Sequence, residues 1–212
     1  MLRLDRSRSH HLLRVVGLKP GDPVELFDGV GGAVRAVMVA ADRQGATLEV
    51  QEAHAVVPAP TATWCCVALT KQAAFDLALR MATECGATVI QPVRAERSVV
   101  RKGGVDRWAR VVEAACAQSG RRWLPQVHEA VGFSEALGCL PAGMSSWMGH
   151  PGGEPAPGIT GPAALWVGPE GGWSDAERSA AQGAGCRMVR YGAYVLRADT
   201  AVAAGLTALR RA

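Results

Sequence analysis

The sequence predicts an α/β protein, a small β-rich module followed by a larger domain built on a mainly parallel sheet. Three observations predict it. Beyond about residue 60, short apolar runs alternate with amphipathic helical stretches, the pattern of helices crossing over a parallel sheet. Before it, apolar and polar residues alternate with period two between glycine-rich turns, as in antiparallel strands. Between them, Val57-Pro58-Ala59-Pro60-Thr61 reads as a stiff, extended connection. The domain expectation is therefore a module over 1–57, a linker over 58–63 and a second domain over 64–212.

In the module, His10 to Val16 reads as a short helix ending at Gly17. Val24–Phe27, Ala33–Val39 and Ala46–Val50 read as strands, the first two joined by the Asp28-Gly29-Val30-Gly31-Gly32 hairpin loop. A module this small buries a core most readily as a barrel. In the second domain, Trp64–Leu69 is a buried strand and Lys71–Cys85 a helix, with Phe75, Ala78, Leu79 and Ala82 on one face. Thr88–Ile90 is the next strand, expected to close at Pro92. Asp106–Ser119 is a helix stopped by Gly120, and Trp123–Val127 a short strand. A helical turn from Ser134 leads to a weak strand at Ser145–Met148. His150–Pro162, rich in Gly and Pro, reads as a flexible loop. Arg187–Arg190 is a last strand and Leu196–Arg211 a last helix.

The stretch that organises the second domain is Leu165-Trp166-Val167-Gly168-Pro169-Glu170-Gly171-Gly172-Trp173-Ser174. An apolar strand stops at Gly168-Pro169. Gly171-Gly172 permit positive φ and a close approach of ligand to bare backbone. Ser174-Asp175-Ala176-Glu177 is a capping box that opens a helix. Strand, glycine turn and helix N-terminus suit a nucleotide-like ligand at the carboxyl end of a sheet. The spacing matches neither a dinucleotide-binding glycine pattern nor a P-loop, so a pyrophosphate is not the expected guest.

Composition narrows the class. Apolar residues make up 49%, enough for a sizeable core, and no apolar run reaches the roughly 18 residues of a membrane span. The start, Met1-Leu2-Arg3-Leu4-Asp5-Arg6, has no apolar h-region, so no signal peptide is expected. The six cysteines form no C-x-x-C and no zinc spacing; no metal is expected, and a reducing compartment, the cytoplasm, is. Net charge is +4 but unevenly spread: five Lys/Arg against one acid over 1–20, and eight against three over 94–122. Two basic blocks point to an anionic polymer as partner. Arg3, Arg8 and Arg14 in the first, and Arg97, Arg101, Lys102, Gln118 and Arg121 in or beside the second, are the candidate contacts to the phosphates of such a polymer.

Gly168–Ser174, Tyr191-Gly192-Ala193-Tyr194-Val195-Leu196-Arg197-Ala198-Asp199-Thr200-Ala201, and the stretch holding Ala82–Gly86, Glu96-Arg97-Ser98 and Glu113–Arg121 occur in an order that resembles the RsmE family of 16S ribosomal RNA uridine N3-methyltransferases. Leu18–Asp22 and Leu26–Gly29 fit the PUA-like RNA-binding barrel of that family. The resemblance covers nearly the whole chain. It departs at Tyr191, where leucine is usual, at Tyr194, where a basic residue is common, and at Asp199, where glutamate is usual.

The resemblance implies a SPOUT-type, trefoil-knotted C-terminal domain, a homodimer, S-adenosylmethionine as cofactor, and as partner the 16S rRNA of an assembled or nearly assembled small ribosomal subunit. It also implies cofactor binding by Leu165, Val167, Gly168, Pro169, Glu170, Gly171, Gly172, Tyr191, Gly192, Val195, Leu196 and Arg197. Methyl transfer to a uracil N3 calls for a base and for stabilisation of an anionic ring. Arg197 and Glu170 are the catalytic candidates; Glu96, Asp199 and His150 are further candidate bases. A non-catalytic RNA-binding paralogue on the same fold is the alternative, separable by cofactor binding.

Overall fold

The computed structural model describes residues 1–42, 45–100 and 104–210. Arg101 and Lys102, two of the expected RNA contacts, lie outside them. The chain divides into two compact units, Met1–Ala59 and Pro60–Ala212.

In the first unit, β1 (Leu2–Arg3), β2 (Pro23–Phe27), β3 (Ala33–Asp42) and β4 (Gly45–Ala53) form an antiparallel sheet in the order β1-β4-β3-β2. Irregularities in register after Arg35 and Met38 bend β3. The helix begins earlier than the sequence pattern suggests: α1 (Arg6–His10) runs into a wider π turn over His11–Val16 and stops at Gly17, whose φ is +78°. Ser9 explains the early start. Its hydroxyl donates to Leu4 O and accepts from Ala46 N–H at 2.9 Å, pinning α1 to β4. The small core is Ala36, Met38, Ala46 and Leu48, covered by Leu4, Leu13, Leu18, Val24 and Leu26.

The second unit is a seven-stranded sheet in which every pair is parallel. Its strands are β5 (Thr63–Ala68), β6 (Val89–Arg94), β7 (Gln126–Val127), β8 (Val131–Gly132), β9 (Ser145–Pro155), β10 (Ala163–Val167) and β11 (Arg187–Arg190). The order is β11-β9-β10-β5-β6-β7, with β8 also on β6. Alternation along the strands sorts the core into two layers. Cys65, Val67, Leu165 and Val167 face α2 (Gln72–Glu84), α3 (Val105–Ser119) and α6 (Ala198–Leu209). Trp64, Cys66, Ala164 and Trp166 face α4 (Phe133–Gly138) and α5 (Asp175–Gly183). The strands are buried on both faces, which is why they read as unbroken apolar runs.

Two expectations are corrected. Pro92 does not end its strand; β6 continues to Arg94. Val93 O accepts from Leu69 N–H, so the polar groups of Pro92 face the opposite edge, in the gap between β7 and β8. There the side-chain amide of Gln91 donates to Pro92 O and Glu129 O, and no N–H is needed from proline. Nor is His150–Pro162 wholly loop. After a bulge, β9 resumes and pairs Glu154 and Pro155 with Val189 and Arg190. Gly153 makes this possible: a Cβ there would lie 2.5 Å from Val189 N. Composition reads this stretch as a breaker; the close approach of two backbones is what uses its glycine.

Candidate active site

A cavity of about 430 Å3 opens at the carboxyl ends of β10 and β11 and at the bulge of β9. Its size falls in the ~300–1,000 Å3 range of small-molecule sites. It is built from three segments. The first follows β10: Gly168, Pro169, Glu170, Gly172 and Trp173. The second follows β11: Tyr191, Gly192, Tyr194, Val195, Leu196 and Arg197. The third is Gly149, His150 and Pro151 in β9.

The first segment is held from below by aromatic packing. Trp173 lies 5.2 Å from Phe133 and 6.3 Å from Trp166, ring centre to ring centre, and Trp166 donates its indole N–H to Ser146 Oγ at 2.8 Å. The Trp173 ring covers Gly168, where a Cβ would come within 3.2 Å of Nε1. Gly172 has φ +68°; Gly171 does not share that conformation. At Gly171 the constraint is a neighbour: a Cβ would sit 3.2 Å from Arg97 Cβ, and Gly171 O accepts from Arg97 Nη1 at 3.1 Å. The capping box of α5 is present as read from the sequence, with Ser174 Oγ accepting from Glu177 N–H at 3.2 Å and Glu177 Oε2 from Ser174 N–H at 2.8 Å.

The second segment turns on Tyr191. Its ring lies where a Cβ of Gly149 would be 2.7 Å from Cε2 and a Cβ of Gly205 3.0 Å from Cζ. The ring edges the cavity while the hydroxyl is buried without a hydrogen-bond partner among the described residues. Burial therefore raises the pKa of this phenol well above its usual value. Arg197 is exposed at the N-cap of α6, and its Nε stands 3.6 Å from the buried carboxylate of Asp199. His150 Nδ1 accepts from Gly152 N–H at 3.1 Å, so in the neutral ring the proton resides on Nε2.

Ten of the twelve expected cofactor residues line this one cavity. The exceptions are Leu165 and Gly171. Leu165 is fully buried beneath it, packed where a Cβ of Gly205 would meet it at 2.9 Å. Of the candidate bases, Glu170 and His150 line the cavity, and Glu96 and Asp199 do not. Arg97, expected at RNA, also lines it. Trp173, Arg178, Arg190 and Tyr194 also line it; Trp173 and Arg190 neighbour Gly172 and Tyr191 in sequence, Tyr194 lies within the second motif, and Arg178 carries no local signal.

The other expected RNA contacts divide. Arg14 and Gln118 are exposed. Arg3 and Arg8 are exposed and paired with Asp42 and Asp5, contacts of ~0–1 kcal/mol that leave them open to exchange partners. Arg121 is a correction. Its guanidinium donates to Trp123 O, Thr83 O and Ala87 O at 2.5–2.7 Å, tying α2 to the segments before β6 and β7. A side chain so engaged holds the fold and has little left to offer a phosphate. Among the described residues no cluster of His, Cys, Asp and Glu could hold a metal, and no helix is long and apolar enough to cross a membrane.

A parallel sheet with a glycine-loop cavity at its carboxyl edge, joined to a small β unit, is the build of an RNA methyltransferase, and family models match accordingly. An RNA methyltransferase domain matches residues 57–210, and an RNA methyltransferase PUA domain residues 4–51. The chain is 34% identical to ribosomal RNA small subunit methyltransferase E of Synechocystis, over 93% of this chain and 69% of that one. It is 31% identical to the Mycobacterium bovis protein of the same name, over 97% and 84%. A crystal structure of ribosomal RNA small subunit methyltransferase E from Neisseria gonorrhoeae bound to S-adenosyl methionine superposes with a TM-score of 0.88 at 30% identity, covering 98% of this chain and 90% of that one. The chain belongs to the ribosomal RNA small subunit methyltransferase E family.

Proposed function

We propose that this protein uses S-adenosylmethionine to methylate N3 of one uridine in the decoding region of 16S rRNA, acting on an assembled or nearly assembled small subunit. The observation that carries this reading is the cavity: two glycine-bearing loops frame it with main chain, and an exposed arginine stands at its edge. The residues present fit the cofactor. Val167 and Leu196 offer apolar walls, the loops offer main-chain donors and acceptors, and Gly172, with open space where a side chain would stand, keeps the backbone open to a ligand.

Bound there, S-adenosylmethionine supplies an electrophilic methyl group on a sulfonium. The protein's part is to hold the uracil in line with it and to manage one proton. Glu170, exposed on the cavity edge, takes the N3 proton. Arg197, steadied by Asp199, stabilises the anionic ring. His150 presents Nε2–H as a donor to a ring carbonyl. Arg3, Arg8 and Arg14 on the first unit, and Arg97 and Gln118 on the second, hold the RNA backbone. The family resemblance supports a homodimer. An rRNA substrate and six free cysteines support the cytoplasm.

The test is mass spectrometry of small-subunit rRNA from a strain lacking the gene. One methylated uridine should disappear; an unchanged set of modified nucleotides would refute the assignment.

A further inference from the structure

Of the six Trp, three Phe and two Tyr, Tyr194 alone is exposed. Its relative exposure is 86%, it is followed by Val195 at 81%, and both line the cavity mouth. Every other aromatic ring is buried or half-buried. A lone ring left in water at the entrance to a site, in a chain that otherwise shields its aromatics, is placed for a ligand with a flat π-face.

Resting on the function proposed above, we infer that Tyr194 is the platform on which the target nucleobase stacks as it enters the cavity. Three features favour a nucleobase over other occupants. The cavity floor is Val167, Gly168 and Leu196, whereas Tyr194 stands at the solvent side, where a polymer must approach. Exposed Arg190 and Arg197 line the same cavity and offer cationic groups that attract a polyanion. A base drawn from its stack loses stacking that an aromatic side chain restores, for any base sequence around it. Tyr194 is then a positioning and docking residue that makes no proton transfer.

The experiment compares wild type, Tyr194→Phe, Tyr194→Leu and Tyr194→Ala in methyl transfer from S-adenosylmethionine to small subunits of a strain lacking the gene. Alongside, cofactor affinity is measured by calorimetry, thermal stability by melting, and mass by light scattering. Tyr194→Ala should lower kcat/KM for the subunit by about 5- to 150-fold, the span that loss of one base–ring contact gives. Tyr194→Phe should retain activity and Tyr194→Leu should lose most of it. Cofactor affinity, melting temperature and oligomeric mass should stay as in wild type.

Full activity in Tyr194→Ala or in Tyr194→Leu would overturn the stacking role. A loss of cofactor affinity would make the ring part of the cofactor wall, and a change in mass would make it an interface between copies; either overturns the inference. An inactive wild type would instead refute the underlying function.

Discussion

The buried carboxylate of Glu177 accepts the main-chain N–H of Glu96 at 2.8 Å, across 81 residues of sequence. Its other oxygen accepts the N–H of Ser174 at the start of α5. One side chain thus caps a helix and fastens the turn after β6, and Arg97 in that turn donates back to Gly171. The prediction is that Glu177→Ala removes two charge-assisted acceptors and destabilises the protein by about 2–4 kcal/mol, read from urea unfolding. Amide hydrogen exchange should quicken at both Ser174 and Glu96. Exchange that quickens at Ser174 alone would reduce Glu177 to a helix cap.

Tyr191 and Gly149 are matched in size. Gly149→Ala places a methyl 2.7 Å from the Tyr191 ring and should cost about 1–3 kcal/mol as overpacking. In a Tyr191→Leu background the same change should cost clearly less. A double-mutant cycle reads the difference, and additive losses would show that the ring yields freely.

Alkaline pH should destabilise the fold. Burial pushes the Cys65 thiol from 9.0 to about 12 and that of Cys186 to about 11, while Cys66 and the Tyr191 phenol shift the same way. Each folded pKa is raised above its unfolded value, so the unfolded chain loses its protons first. Stability should therefore be intact below about pH 9 and decline as pH rises through the window from 9 to about 12. Melting curves under reducing conditions from pH 7 to 11 measure this. A Tm that stays level to pH 11 would contradict the burial of these groups.

Much of this architecture is legible in the sequence, for a physical reason. Strands such as β5 and β10 are buried on both faces and carry unbroken apolar runs, and α5 announces itself by Ser174 and Glu177. What the pattern hides is decided by contacts distant in sequence. Pro92 stays in its strand because β7 and β8 leave a gap beside it, and Gly153 serves a strand approach made by β11. Arg121 looks like any basic residue until Thr83 and Ala87 bring their carbonyls to it. At the site, the two glycine loops are visible locally, whereas their meeting with Gly149 and His150 depends on the sheet order β11-β9-β10.

Arg197 is exposed and only loosely paired with Asp199, so its removal should spare the fold. Arg197→Ala should lower kcat about 10²- to 10³-fold, the usual loss for one donor to a developing anion. Cofactor affinity should change by no more than a few-fold. Calorimetry and single-turnover rates separate the two; parallel losses in both would assign the guanidinium to the cofactor.

The central claim is transfer of one methyl group to one ring nitrogen, and the direct measurement follows that group. Purified protein is incubated with S-adenosylmethionine carrying a deuterated methyl and with small subunits from a strain lacking the gene. The rRNA is then digested and its nucleosides are resolved by mass spectrometry. The account predicts one labelled N3-methyluridine per subunit, mapped to the decoding region. Label on a ribose 2′-oxygen or on another base, or none at all from protein that binds the cofactor, would contradict it.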